Sequence, residues 1–165
     1  NTGEVIWFPK EAMGDDFEPL RASSSLPFLA PVVKINGHEL MDGGLADPIP
    51  VEKAIADGYE RNVIVLTRNP GYYSTENYPI WLLKLWYSKY PQLIEIIRTR
   101  AANYNRQLAL AEQLEKDGKA VVIRPLEPLT IGRLDRKPQE LLKLHDHGIA
   151  CGLALIENIR RLAQK

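Results

Sequence analysis

Cysteine, an excess of one charge sign and long apolar runs are what this sequence has least of. Cys151 is the one cysteine in 165 residues, so no internal disulfide can form and a reducing, cytoplasmic setting is expected. Lysine plus arginine equals aspartate plus glutamate, 21 against 21. No global field therefore draws the chain to nucleic acid or an anionic membrane, and no nucleic-acid partner is expected. No apolar run approaches the roughly 20 residues that span a bilayer. The opening "NTGEVIWFPKE" has neither a basic n-region nor a hydrophobic h-region, so no signal peptide is expected there, and it reads as the middle of a domain. There is no internal repeat and no low-complexity segment. Neither G-x-G-x-x-G nor G-x-x-x-x-G-K-[ST] occurs, which disfavours a nucleotide-binding domain. What is there, 45% hydrophobic and 25% charged residues, is ordinary for a globular chain, and the length suits one domain or one large piece of a bigger one.

The pattern along the chain predicts alternating strands and helices. "EVIWF" (4–8) reads as a strand entered through a Thr2-Gly3 turn. Asp15 and Asp16 suit the N-terminus of a helix through "FEPLRASSSL", which Pro27 should end or kink. "PVVKINGHELMDGG" alternates about Asn36-Gly37, a type I′ hairpin dipeptide, and predicts strands at about 31–35 and 38–41 with Asp42 leaving the second. A helix follows in "PVEKAIADGY", with Pro50 near its start and Gly58 near its end. "NVIVLTR" and "AVVIRP" (120–125) are continuous aliphatic runs, the mark of strands buried on both faces. Between them Leu93, Ile97, Ala101, Tyr104, Leu108 and Ala111 recur at helical spacing, and Gly118 provides the stop. The tail from Pro138 predicts two amphipathic helices broken near Gly148. Helices separating buried strands imply an α/β fold with its sheet covered on both faces.

The chemistry centres on "ELMDGGLADPIP" (39–50). An aspartate at a strand end followed by two glycines is a carboxylate at a sheet rim with bare backbone beside it. Such a group can act as general base toward a nucleophile on a neighbouring loop. The plain alternative is a β-turn, since Asp-Gly is among the commonest turn dipeptides. The surroundings favour the base. The stretch "ASSSLPFLAPVVKINGHELMDGGLADPIPVEKAIADGYERNVIVLTR" strongly resembles the C-terminal half of the patatin-like phospholipase domain, with specificity over about residues 1–70 and less distinctly into the tail. "NTGEVIWF" resembles that family's strand leading to the Ala-Ser helix, and "RKPQELLKLHDHGIACGLALIENI" looks like the closing helices of bacterial members.

The resemblance implies part of a three-layer α/β/α domain with a β-hairpin over residues 1–130, and a helical C-terminal extension over 131–165. It carries the DG[GA] motif onto Asp42, Gly43 and Gly44, with Asp42 as general base of a Ser–Asp dyad that cleaves a lipid or simple ester without cofactor or metal. The family's serine lies in a G-x-S-x-G elbow, and a glycine-rich loop supplies its oxyanion hole. Neither occurs here, because Ser23, Ser24, Ser25, Ser74 and Ser88 all have the wrong neighbours. Both motifs precede the aspartate in the family, so the chain is expected to be a C-terminal piece, inert alone, whose partner is the N-terminal half of the same domain. A rival reading is a non-catalytic regulatory or scaffold module that keeps the fold without the serine.

Four further features have plainer readings. His145 and His147 in "HDH" sit at i and i+2, which do not share a helix face, so no metal is expected. Asp47 is expected to support the loop or the start of the next helix. The aromatic stretch 69–91, with Trp81 and Trp86 among leucines, is read first as core or cover packing. Its second reading is a mobile flap over an acyl pocket or a peripheral membrane contact. Cys151 is expected to be a small buried hydrophobe.

Overall fold

A computed structural model describes residues 2–132 and 137–164. Asn1, residues 133–136 and Lys165, which begin the opening segment and fall within the closing tail read above, lie outside the described residues. The fold is α/β with a helical C-terminal part. The chain divides into two compact units, Asn1–Ile49 with Ser74–Arg106, and Pro50–Tyr73 with Gln107–Lys165.

In the first unit, helix α1 (Glu18–Ser23) leads to an antiparallel hairpin of β1 (Val33–Ile35) and β2 (His38–Leu40). Asn36 and Gly37 at its tip have φ of 50° and 81°, the left-handed pair a type I′ turn requires. The register pairs Val33 with Leu40, Lys34 with Glu39 and Ile35 with His38. Helix α1 stops ahead of Pro27 because serine hydroxyls take over its last carbonyls: Ser24 Oγ donates to Leu20 O and Ser25 Oγ to Arg21 O, both at 2.9 Å. Ala22 packs with Val33 and Ile35, and Phe8 and Leu40 close that cluster.

The rest of this unit is built on helix α3 (Ile80–Tyr87) and the first part of α4 (Pro91–Lys116). Leu83, Tyr87 and Ile97 form the main core with Leu45, the residue that follows the glycine pair. Asn105 grips the segment ahead of α3 as a backbone mimic, accepting from Ser74 N at 2.8 Å and donating to Ser74 O at 2.9 Å. Residues 4–8, read as a strand, lie outside any strand. A strand needs a partner for its backbone groups, and Val5, Ile6 and Trp7 are exposed. Instead Gly3 sits against α4, where an added Cβ would meet Gln92 and Ile96 at 3.0 Å.

In the second unit, α2 (Val51–Ala56) precedes β3 (Asn62–Val65), which pairs in parallel with β4 (Ala120–Ile123) from Asn62↔Ala120 to Val65↔Ile123. Gly118, at φ 68°, turns the chain from α4 into β4. Arg124 Nη1 holds Glu112 at 2.7 Å, which ties the end of β4 back to α4. Strand β4 is buried on both faces, whereas β3 is not: Val63 and Val65 are 45% and 70% exposed. An aliphatic run reports what a strand can bury, and only one face of β3 is covered by the described residues.

Helices α5 (Pro138–Ala154) and α6 (Ile156–Gln164) follow, and α6, whose buried residue is Leu162, packs on β4. The break expected near Gly148 falls at Leu155, and α5 runs straight through Gly148. An interior glycine costs about 1 kcal/mol against alanine, which weakens a helix without ending it. Cys151, expected to be buried, is only half-buried on a helix with no buried residue.

Candidate functional site

The turn that bears Asp42 is fixed between two apolar anchors. Met41 leaves the hairpin and packs on the Leu83–Tyr87–Ile97 core, and Leu45 is buried in the same core. The residues between them must cross that distance in one tight 310 turn, Gly43–Leu45, for which Asp42 is the N-cap. Its Oδ1 accepts from Gly44 N at 2.7 Å, and its backbone N–H donates to Ser25 O at 3.0 Å. The glycines permit this approach. A Cβ on Gly44 would stand 3.1 Å from Asp42 Oδ1, while one on Gly43 would meet Ser23 Oγ at 3.6 Å, an ordinary contact. Asp42 is half-buried and forms no ion pair among the described residues. Its Oδ2 takes no hydrogen bond from them either. One oxygen is thus fixed and the other is uncommitted.

Asp47 supports this loop. Its backbone N–H closes the turn onto Gly43 O at 2.9 Å, while helix α2 starts at Pro50 without a side-chain cap.

Helix α4 holds the same turn from outside. Arg100 Nε donates to Gly44 O at 3.0 Å, and its Nη1 binds Glu76 Oε2 at 2.6 Å. Asn103 Nδ2 donates to Ala46 O. The sequence reading missed all three residues. A signal existed: Ile97, Arg100 and Asn103 follow at i, i+3 and i+6, so two polar side chains continue the line of a buried isoleucine.

The loop that receives Asp42's amide is itself held. Tyr87 Oη accepts from Phe28 N at 2.8 Å, and Phe28 has φ 65°, a left-handed conformation unusual for a bulky residue. The Phe28 ring lies 5.4–5.9 Å from those of Tyr78, Trp86 and Tyr87. The 69–91 stretch therefore divides. Leu83 and Tyr87 are core, whereas Trp81, Leu85 and Trp86 remain exposed.

Charge beside the hairpin is local. The Lys34 ammonium, by hydrogen bond, holds the Glu39 carboxyl below its ordinary value. Burial, then the negative charge of Glu39, pushes the Tyr90 phenol up. Far along the chain, His145 Nδ1 lies 3.2 Å from Asp146 Oδ1, and His147 Nε2 lies 3.5 Å from Cys151 Sγ. No group of three or more His, Cys, Asp or Glu arranged for a metal occurs among the described residues. No described helix is long and apolar enough to cross a membrane.

Comparison with known proteins adds two family matches. The model of the family described as Patatin-like phospholipase matches residues 18–55, which contain α1, the hairpin and the Asp42 turn. A second, described as Domain of unknown function (DUF6363), matches residues 90–164, which contain Arg100, Asn103 and the closing helices. The chain is 26% identical over 148 residues to the Escherichia coli (strain K12) protein named Uncharacterized protein YjjU. That alignment covers 87% of this chain and 41% of the relative, so the chain spans well under half of the relative's length. No solved structure matches.

Proposed function

We propose that this chain is the aspartate-bearing part of a lipid acyl hydrolase, a carboxylic ester hydrolase of the patatin-like phospholipase kind. Its nucleophilic serine would be carried by polypeptide outside these 165 residues. The observation that supports this most directly is Asp42 itself. It is a half-buried carboxylate, free of ion pairs among the described residues, with Oδ1 fixed on a glycine amide inside the segment that matches the family. A carboxylate held in that way loses little freedom when it meets a hydroxyl, and orientation of this kind is a large part of catalytic rate.

In this reading the serine O–H gives its proton to Asp42 Oδ2 as the oxygen attacks the ester carbonyl. Collapse of the tetrahedral intermediate expels the alcohol, which takes that proton. Water then attacks the acyl-enzyme, losing a proton to Asp42, which returns it to the serine. Backbone N–H groups carried outside these residues would stabilise both oxyanions. Residues 1–130 would belong to the hydrolase domain and 131–165 to a helical extension. The exposed Trp81, Leu85 and Trp86 would suit peripheral contact with a lipid surface.

The test is p-nitrophenyl ester hydrolysis by this chain alone and by the longer protein, each with and without Asp42→Asn. No turnover by the chain is expected, together with turnover by the longer protein that Asp42→Asn abolishes. A longer protein that is inactive would leave the non-catalytic module instead, and activity that survives Asp42→Asn would remove Asp42 as the base.

A further inference from the structure

We infer that Arg100 is a positioning residue for Asp42, acting through both ends of Gly44; the inference rests on the hydrolase reading above. Gly44 is pinned twice: its N–H donates to Asp42 Oδ1 at 2.7 Å, and its C=O accepts Arg100 Nε at 3.0 Å. The amide lies in the 43–44 peptide plane and the carbonyl in the 44–45 plane, so the two bonds hold both planes that flank a residue with no Cβ to restrain it. The guanidinium is held in turn. Its Nη1 binds Glu76 Oε2 at 2.6 Å, and the Arg100 side chain is only 20% exposed. Glu76 stands two residues beyond Ser74, which Asn105 clamps through both backbone groups. The series Asn105–Ser74, Glu76–Arg100, Gly44–Asp42 thus carries the rigidity of α4 to one carboxylate oxygen and leaves the other oxygen for the proton.

The arginine fork is needed because one donor must meet a carbonyl while another meets a carboxylate, a geometry a lysine ammonium on a flexible stem does not reproduce. In this scheme only Asp42 meets the reacting atoms; Arg100, Glu76 and Asn105 act through Gly44 and the segment at Ser74. Its loss should slow the proton transfer that Asp42 performs and leave ester binding unchanged.

The experiment has two arms. In this chain, amide exchange of Gly44 is followed by NMR for wild type, Arg100→Ala, Glu76→Gln and the control Arg98→Ala, whose side chain pairs with Glu95 on the exposed face. Arg100→Ala is expected to speed Gly44 exchange about tenfold, the worth of one net hydrogen bond. Glu76→Gln should do so by less, and Arg98→Ala not at all. In the longer protein, Arg100→Ala should lower kcat by about 10- to 100-fold at unchanged KM, the scale of a misplaced catalytic group. Unchanged Gly44 exchange in both Arg100→Ala and Glu76→Gln would overturn the inference. So would an unchanged kcat in an active longer protein, or a change in KM alone. Should Arg100→Ala lose protection throughout the β1–β2 hairpin as well, Glu76→Gln decides by the same two readouts. Faster Gly44 exchange in this chain, together with a longer protein that hydrolyses nothing, would leave the clamp standing and remove the hydrolase reading.

Discussion

Substituting Asp42 by asparagine and by alanine separates two tasks performed by one side chain. Asparagine keeps an oxygen that can accept from Gly44 N, and asparagine and aspartate are about equal as helix N-caps, so Asp42→Asn should fold with almost unchanged stability. Alanine removes the cap and should cost about 1 kcal/mol in urea unfolding. The glycines differ in the same way. Gly44→Ala puts a Cβ 3.1 Å from Asp42 Oδ1, so the carboxylate must shift; Gly43→Ala meets Ser23 Oγ at 3.6 Å and fits. Gly44→Ala is therefore expected to impair hydrolysis by the longer protein at least tenfold more than Gly43→Ala does, on the scale set by a displaced catalytic group. Equal effects of the two substitutions would mean that the carboxylate's position is not what Gly44 protects.

At the scale of elements, helix α5 offers the clearest stability test. Gly148 lies inside it with open space where a Cβ would go, and no residue of the helix is buried. Gly148→Ala should therefore stabilise the chain by up to about 1 kcal/mol through helix propensity alone, seen as a higher urea midpoint. A lower midpoint would show that the glycine serves some contact. The elements also show what a sequence can reveal. The hairpin was legible because Asn36-Gly37 is local chemistry: two adjacent residues accept positive φ, and the register follows. Helix α4 was legible because 3.6-residue periodicity repeats over many turns. The segment 4–8 misled, since strand formation is decided by a partner elsewhere, and the aliphatic run of β3 could not report that one face stays open. At the site, "DGG" was visible as three adjacent residues. Arg100 was not, for its bond to Gly44 spans 56 positions and no local pattern encodes that pairing.

At the scale of the whole chain, two quantities act together: a net charge of zero near pH 7 and apolar side chains left in water. Val63 and Val65 stand out from a strand that pairs, among the described residues, with β4 alone, and Trp81 is 68% exposed on α3 beside Leu85 and Trp86. Charge repulsion ordinarily keeps such surfaces apart, and it is weakest where positive and negative charges balance. Apolar patches attract by about 25 cal/mol for each Å² they hide from water, with no partner specificity of their own. This chain alone is therefore expected to self-associate most strongly near pH 7, and to scatter less light at pH 5 or pH 9, where net charge returns. Salt should not cure it, because screening removes repulsion without touching apolar attraction. Val65→Lys and Trp81→Lys each put a charge in place of an exposed apolar side chain outside the core, so each should lower scattering at pH 7 while leaving the unfolding free energy in urea within about 0.5 kcal/mol, the usual range for surface substitutions. Scattering that does not fall on either side of pH 7, and that neither lysine lowers, would mean that these side chains are not what brings copies of the chain together.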